Sequence, residues 1–157
     1  MPAEASKMKR LFIAINLPEK IREKIHAAFF EQIKISGIKA VEKNNLHITL
    51  KFLGNIDEKN LTAIKQKMLL IDFEKFPLTI NGAGHFNSRT IWLGAVDAEK
   101  KLEQIMAQLN SLLGIIAEEK FFPHITIARN KKSPKATAKK VAHELSQNKF
   151  HENFLVQ

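Results

Sequence analysis

The chain contains no cysteine. A disulfide framework, a thiolate nucleophile and a Cys-ligated zinc are therefore excluded. Nor does any uninterrupted apolar run approach the roughly 20 residues that a bilayer-spanning helix needs. The early stretch LFIAINL, residues 11–17, is short, interrupted by Asn16 and without a small-residue cleavage site. It argues against a signal peptide and for a cytoplasmic protein. Acidic residues are scarce beside basic ones: 16 Asp and Glu stand against 25 Lys and Arg, a formal charge of +9. Such a surface attracts polyanions, nucleic acid first among them, although a Lys-rich, Cys-free composition also suits a chain laced with surface ion pairs. Several enzyme signatures are missing too. There is no H-E-x-x-H, G-x-S-x-G, P-loop or G-x-G-x-x-G pattern, and Gly82-Ala83-Gly84 reads as a turn rather than a phosphate cradle.

What remains is the composition of a folded chain. Hydrophobic residues make up 45% and charged residues 26% of 157 positions, which suits one globular domain or two merged lobes. Residues 1–9 are polar and aperiodic, and are expected to be the frayed start of a single 1–157 domain. Leu11 to Leu17 reads as a buried strand. Pro18 then opens a helix with the stripe Ile21, Ile25, Ala28 and Phe29, expected to end near Gly37. Ile38 to Glu42 reads as a short strand and Asn44-Asn45 as a turn. In Leu46 to Gly54, the residues Ile48, Leu50 and Phe52 alternate with His47, Thr49 and Lys51, the pattern of a strand with one buried and one polar face. Asp57 is placed as the N-cap of a second helix carrying Leu61, Ile64, Met68 and Leu69.

Phe76 to Ile80 and Thr90 to Val96 follow as strands, joined by the Gly-rich loop GAGHFNSR. A third helix is predicted from about Ala98 to Leu113, with Gly114 near its end. Phe121 to Arg129 repeats the earlier strand design, with Ile125 and Ile127 set against His124, Thr126 and Ala128. Ser133-Pro134 opens a Lys-rich helix to about Ser146, and Phe150 to Val156 is the last strand. Strands interleaved with helices across short loops give α+β or α/β rather than all-β.

One tetrapeptide design occurs twice, as His47-Ile48-Thr49-Leu50 and His124-Ile125-Thr126-Ile127. Both copies fall on predicted strands, where residues i and i+2 share a face, so each strand offers an imidazole beside a hydroxyl. If the two strands face one groove, two histidines and two threonines converge. Displacement at phosphorus needs a base on the attacking group and an acid on the departing oxygen, and histidine serves in either role near neutral pH. Threonine hydroxyls can donate to the non-bridging oxygens. Lys51 shares parity with His47 and Thr49 and adds positive potential, whereas Arg129 lies one residue off the parity of His124 and Thr126 and reaches the groove only through a bend. The competing reading of a lone His-x-Thr is an ordinary solvent face; the second copy tips the balance. No third or fourth metal ligand stands at recognisable spacing, so no metal and no cofactor is expected. Trp92, His85 and Arg89 read as packing and loop residues before binding ones.

RLFIAINLP, NNLHITLKFLG, TIWLG and FFPHITIAR together resemble the two-histidine (2H) phosphoesterase superfamily. The closer resemblance is to the RNA 2′,3′-cyclic phosphodiesterases, the LigT-like proteins also called 2′-5′ RNA ligases. It covers about Arg10 to Arg129 and implies an α+β, bilobal fold: two pseudo-symmetric lobes of antiparallel sheet, helices outside, both motifs in the cleft. It further implies His47 and His124 as the catalytic pair, with His124 as base and His47 as acid. Thr49 and Thr126 become phosphate-binding hydroxyls, Arg129 matches the Arg after the second motif, and Phe12 matches the aromatic that approaches the nucleobase. The implied activity is metal-independent hydrolysis of RNA 2′,3′-cyclic phosphate ends to 2′-phosphates, with reversible 2′-5′ ligation. The implied partner is RNA such as a tRNA half, met by a monomer. A non-catalytic nucleotide- or RNA-binding module, or a 2H enzyme on a small cyclic nucleotide, is the alternative. Members commonly continue past the last strand to a Gly-Pro-x-Tyr ending, whereas this chain reads FLVQ and has no Tyr.

Overall fold

The computed structural model describes residues 5–116 and 120–157. The chain runs β1 (Met8–Asn16), α1 (Glu19–Ile33), β2 (Ile38–Ala40), β3 (His47–Asp57), α2 (Leu61–Met68), β4 (Phe76–Phe86), β5 (Thr90–Val96), α3 (Lys101–Leu113), β6 (His124–Asn130), α4 (Lys135–Ser146) and β7 (His151–Val156). Every strand pairing is antiparallel, and no helix among the described residues is long and apolar enough to cross a membrane.

Local sequence explains most element ends. The carbonyl of Pro18, extended and unable to donate, accepts from the amides of Ile21 and Arg22 to start α1. Its buried stripe is Ile21, Ile25, Phe29 and Ile33, spaced four apart so that one face meets the core. The helix stops four residues before Gly37. Beyond Ile33 the amides of Ile35 and Ile38 bond to the carbonyls of Ile33 and Ile35, which folds the chain directly into β2. Asp57 does cap, but what it caps is a 3-10 turn over Glu58–Asn60 that precedes α2, its carboxylate accepting from the Lys59 amide at 3.1 Å. Bonds from Lys59 and Ser6 hold that carboxyl below the usual carboxylate range. Its stabilising contribution is therefore complete above that range and is lost as pH falls through the lowered value. In α3 the carboxylate of Asp97 accepts from the Leu102 amide at 2.6 Å, so the helix begins after a turn rather than at Ala98. Gly114 closes it in the left-handed conformation.

The strands form one sheet in the order β1-β3-β6-β5-β4-β7, with β2 also on β6. The join between β1-β3 and the rest is a single residue pair, Ile48 with Ile125. Further along β6, the free edge is taken by β2, where Ile38 pairs with Asn130 and Ala40 with Ala128. Ile48, Ile125, Ile91, Leu78 and Ile80 are completely buried in a core shared with residues of α1, α3 and α4. The opposite face of the sheet carries the repeated motif.

Two expectations are corrected here. Met8 and Lys9, expected in a frayed start, belong to β1 and pair with Asp57 and Ile56; residues 1–4 lie outside the described residues. The segment GAGHFNSR is not a long loop. β4 continues through Gly82–Phe86, and the hairpin closes on Asn87 and Ser88, both with positive φ, a pairing that matches the twist of the flanking strands. The Ser88 amide donates to His85 Nδ1 at 3.1 Å, which helps lock the tip.

Asn130 ties that tip to the rest. Its Nδ2 donates to the carbonyls of Ser88 and Ser133, and its Oδ1 accepts from the Ser133 amide. Replacing Asn130 with Ala removes all three bonds, one to the hairpin tip and two to Ser133 on the approach to α4. Each is worth about 0.5–1.5 kcal/mol net, so Asn130→Ala should lower unfolding free energy by about 2–3 kcal/mol in urea titration.

Candidate active site

The site is assembled by backbone register. Paired residues of an antiparallel sheet share a face, and the pairs run Phe12 with Phe52, Ala14 with Thr49, Asn16 with His47, Thr126 with Trp92, Arg129 with Thr90, Trp92 with Gly84, and Thr90 with Phe86. Across the join at Ile48 and Ile125, His47 and His124 stand one residue to either side. With a rise of about 3.4 Å per residue and strands about 4.8 Å apart, their Cα atoms come to lie about 8 Å from each other, on one face. All four motif residues, His47, Thr49, His124 and Thr126, are half-buried, while Ile48 and Ile125 between them are fully buried.

β-bulges alter the parity that sequence alone gives. On β6 the register to β5 slips at Ile127, so Ile91 pairs with Ala128 and Thr90 with Arg129. Ile127 and Ala128 are both buried, at 1% and 0% exposure, and Arg129 thereby returns to the face of Thr126. The bend that Arg129 requires is present. It also corrects Ala128, which belongs to the core and not to the histidine face. On β3 a slip at Leu50 pairs Thr49 with Ala14 but Lys51 with Ile13. Lys51 consequently loses the parity of His47 and Thr49, and Phe52, expected in the core, emerges 67% exposed on the cleft face. Lys51 nonetheless lines a cavity of about 440 Å³ with Thr49 and His124.

Each histidine is oriented by the backbone two residues before it. His47 Nδ1 is 2.6 Å from the Asn45 carbonyl and His124 Nδ1 is 2.8 Å from the Phe122 carbonyl. A carbonyl oxygen only accepts, so Nδ1 carries the proton in both rings and Nε2 is the nitrogen left for chemistry. His47 Nε2 is 3.1 Å from the Thr49 hydroxyl. Aromatic rings fix the two imidazole planes: Phe12 stacks on His47 at 4.9 Å and 24°, while Phe86 meets His124 edge-on at 5.0 Å and 87°. Phe122 lies parallel to His124 at 6.1 Å, and Trp92 packs against Phe86 and Phe122.

Among the described residues no group of three or more His, Asp or Glu is placed to hold a metal ion. Of the residues singled out from the sequence, His47, His124, Thr49, Thr126, Arg129 and Phe12 share one face, and Lys51 borders it. Phe52, Phe86 and Phe122 were missed. The sequence pattern places Phe86 in a loop and Phe52 in the core, and the signal it offers is the doubled Phe121-Phe122 directly before Pro123 and His124.

The indole of Trp92 lies on Gly84: a Cβ at that glycine would stand 2.5 Å from Cζ2 of the ring. Gly84→Ala should therefore push the indole toward His124 and cost about 1–3 kcal/mol from overpacking. Because Trp92 is the sole tryptophan and the chain has no tyrosine, a shift of its emission maximum reports the displacement directly.

The family model for the 2′-5′ RNA ligase superfamily matches residues 21–157. An RNA 2′,3′-cyclic phosphodiesterase of Methanocaldococcus jannaschii is 44% identical over 127 residues, covering 78% of this chain and 72% of that protein. One from Escherichia coli is 33% identical over 130 residues, covering 80% and 74%. Crystal structures of E. coli LigT with ATP and with 3′-AMP each superpose at a TM-score of 0.74, with 29% and 27% identity, over 96% of this chain and 84% of that one. With both motifs on one face and the relatives in agreement, the chain belongs to the 2′-5′ RNA ligase superfamily, and its fold is that of the 2H phosphoesterases.

Proposed function

We propose that this chain hydrolyses 2′,3′-cyclic phosphate ends of RNA to 2′-phosphates, using two histidines and no metal. The observation that carries this reading is the pair of imidazoles, each anchored through Nδ1 and placed on either side of one strand pair. That arrangement leaves two Nε2 atoms for a phosphate seated between them. Relatives named RNA 2′,3′-cyclic phosphodiesterase support the substrate class.

His124 Nε2 takes the proton from water as the water oxygen attacks phosphorus. The bond from phosphorus to O3′ breaks, and His47 Nε2 supplies the proton that O3′ needs. The 2′ oxygen stays on phosphorus, so the product is a 2′-phosphate with a free 3′-hydroxyl. Thr49 and Thr126 donate to the non-bridging oxygens as charge builds there, and Arg129, returned to this face by the bulge at Ile127, adds a fixed positive charge. The contact between His47 Nε2 and the Thr49 hydroxyl favours His47 as the acid: it holds the ring beside the phosphate donor and leaves the His124 lone pair for water. Phe12, 49% exposed on the same face, takes the terminal nucleobase, and Lys51 contributes long-range attraction for the RNA backbone.

His47→Ala and His124→Ala should each lower kcat/KM on a short RNA with a 2′,3′-cyclic phosphate by about 10²–10⁴-fold. The wild-type profile should be bell-shaped in pH, since one ring must be neutral and the other protonated, and full activity should persist in chelator. Retention of most activity by both variants would eliminate the two-histidine mechanism. RNA binding without turnover by the wild type would indicate a binding module instead.

A further inference from the structure

Hydrolysis with water on the His124 side and O3′ on the His47 side puts the terminal ribose beside His47. Its 5′ carbon, and the phosphodiester that joins it to the preceding nucleotide, then lie farther from His124 still. The reaction asks nothing of that phosphate, yet the fold lays cations along its path. The pair Ile48 with Ile125 sets His47 level with Thr126, on the edge of β6 that faces β3. Farther along the same edge β2 takes over, and there Lys39 pairs with Arg129. Paired residues share a face, so Lys39 stands with Arg129 on the face of the histidines. Its level along β6 is about 7–10 Å past that of His47, and its Cα lies about 5 Å from that of Arg129. The Lys131 amide donates to the Gly37 carbonyl at 2.8 Å, which carries the pairing of β2 and β6 one step on and places Lys131 two positions beyond Arg129.

Lys39, Arg129 and Lys131 are all exposed, and among the described residues none of them is in an ion pair. Lys9, Lys24 and Lys140, elsewhere on the surface, each have a glutamate. Like charges at such spacing repel one another, and an anion from outside the chain relieves the repulsion. Lys51 and Lys120 do not serve this phosphate, because they border the cavity at the opposite end, beside His124. Resting on the hydrolytic reading above, we infer that Lys39 and Lys131, next to Arg129, form a subsite for the phosphodiester on the 5′ side of the terminal nucleotide. The subsite makes the chain select a polynucleotide end over a nucleoside 2′,3′-cyclic phosphate. Ammonium groups on flexible stems hold a phosphate as point charges and read no base, so the selection is for chain length and not for sequence. The upstream phosphate does not change during the reaction, so its binding energy is the same in ground and transition states and lowers KM without altering kcat.

The test measures kcat and KM of the full chain on three substrates with one terminal nucleotide: adenosine 2′,3′-cyclic phosphate, a dinucleotide and an octanucleotide, each ending in that cyclic phosphate. Wild-type kcat/KM should rise about tenfold or more from the mononucleoside to the dinucleotide, as a charged hydrogen bond to one phosphate supplies. Lys39→Ala should remove most of that rise through KM, Lys131→Ala a several-fold part of it, and Lys39→Arg should retain it. On the octanucleotide, the slope of log KM against log salt should fall by about 0.7 for each lysine removed. Equal kcat/KM of the wild type on mononucleoside and dinucleotide overturns the subsite while hydrolysis stands. So does a preference that both alanine variants keep, or a loss of kcat by Lys39→Ala that is the same on all three substrates. Absence of hydrolysis of every substrate by the wild type overturns the phosphodiesterase reading and this inference together.

Discussion

The structure turns on one residue pair. Ile48 and Ile125 are the only registered contact between β3 and β6 among the described residues, and through them the β1-β3 ribbon joins the remaining strands. Both side chains are completely buried, each worth about 1.5–3 kcal/mol of apolar transfer. The hydrophobic effect thereby fixes the relative position of the two motifs without using any of their polar atoms. Because strand side chains alternate, burying the isoleucines on one face obliges His47, Thr49, His124 and Thr126 to emerge on the other. The shortness of the join is equally consequential. Beyond Ile125, where β3 has its start at His47, β6 takes β2 as its neighbour; at the other end of the join residues 49–52 and the approach to β6 through Phe122 do not pair, and the gap between them is the cavity.

Alternation alone would give a less capable site. Without the slip at Ile127, Arg129 would point into the core face, where an unpaired guanidinium is prohibitively costly to bury. The extra residue on β6 resolves this by burying two consecutive apolar side chains, Ile127 and Ala128, and returning the chain to the opposite parity. The slip at Leu50 on β3 works in the same way with a different result, exchanging Lys51 for Phe52 on the cleft face. Both strands therefore keep strict alternation through the His-x-Thr triplet and break it immediately afterwards. The imidazoles and hydroxyls of the repeated motif are set by the regular part of each strand, and Arg129 and Phe52 by the irregular part.

This division explains what was legible in the sequence. The repeated triplet, the buried isoleucines and the helical stripe of α1 follow from period and burial, which are local properties. The antiparallel join of the two copies was expected only as a groove between related halves, and its reduction to one pair depends on where β2 lands, a tertiary fact. Phe52 looked like core because apolar residues at even positions had been core up to Leu50; a one-residue slip reverses that inference for everything downstream. Phe86 looked like loop because Gly82 and Gly84 are common punctuation in turns. Here Gly84 is a strand residue whose missing side chain leaves space for the Trp92 indole, and β4 runs on to Phe86 as a result.

The two motif strands share the backbone anchor of their histidines and differ in the side chains around them. Both rings use the same anchor, Nδ1 to the carbonyl two residues earlier, so both present Nε2 in the same tautomer. A symmetric pair of that kind has no reason to divide acid from base. The surroundings supply the difference. His47 has a threonine hydroxyl on Nε2 and a phenyl face beneath its ring, whereas His124 has Phe86 at its edge and an open, aromatic-walled space beside it. A group that must meet an incoming nucleophile needs room in front of it. A group that must protonate a departing oxygen already held in place needs a fixed position. The geometry provides space at His124 and constraint at His47, and the direction of the proposed proton transfer follows from that contrast.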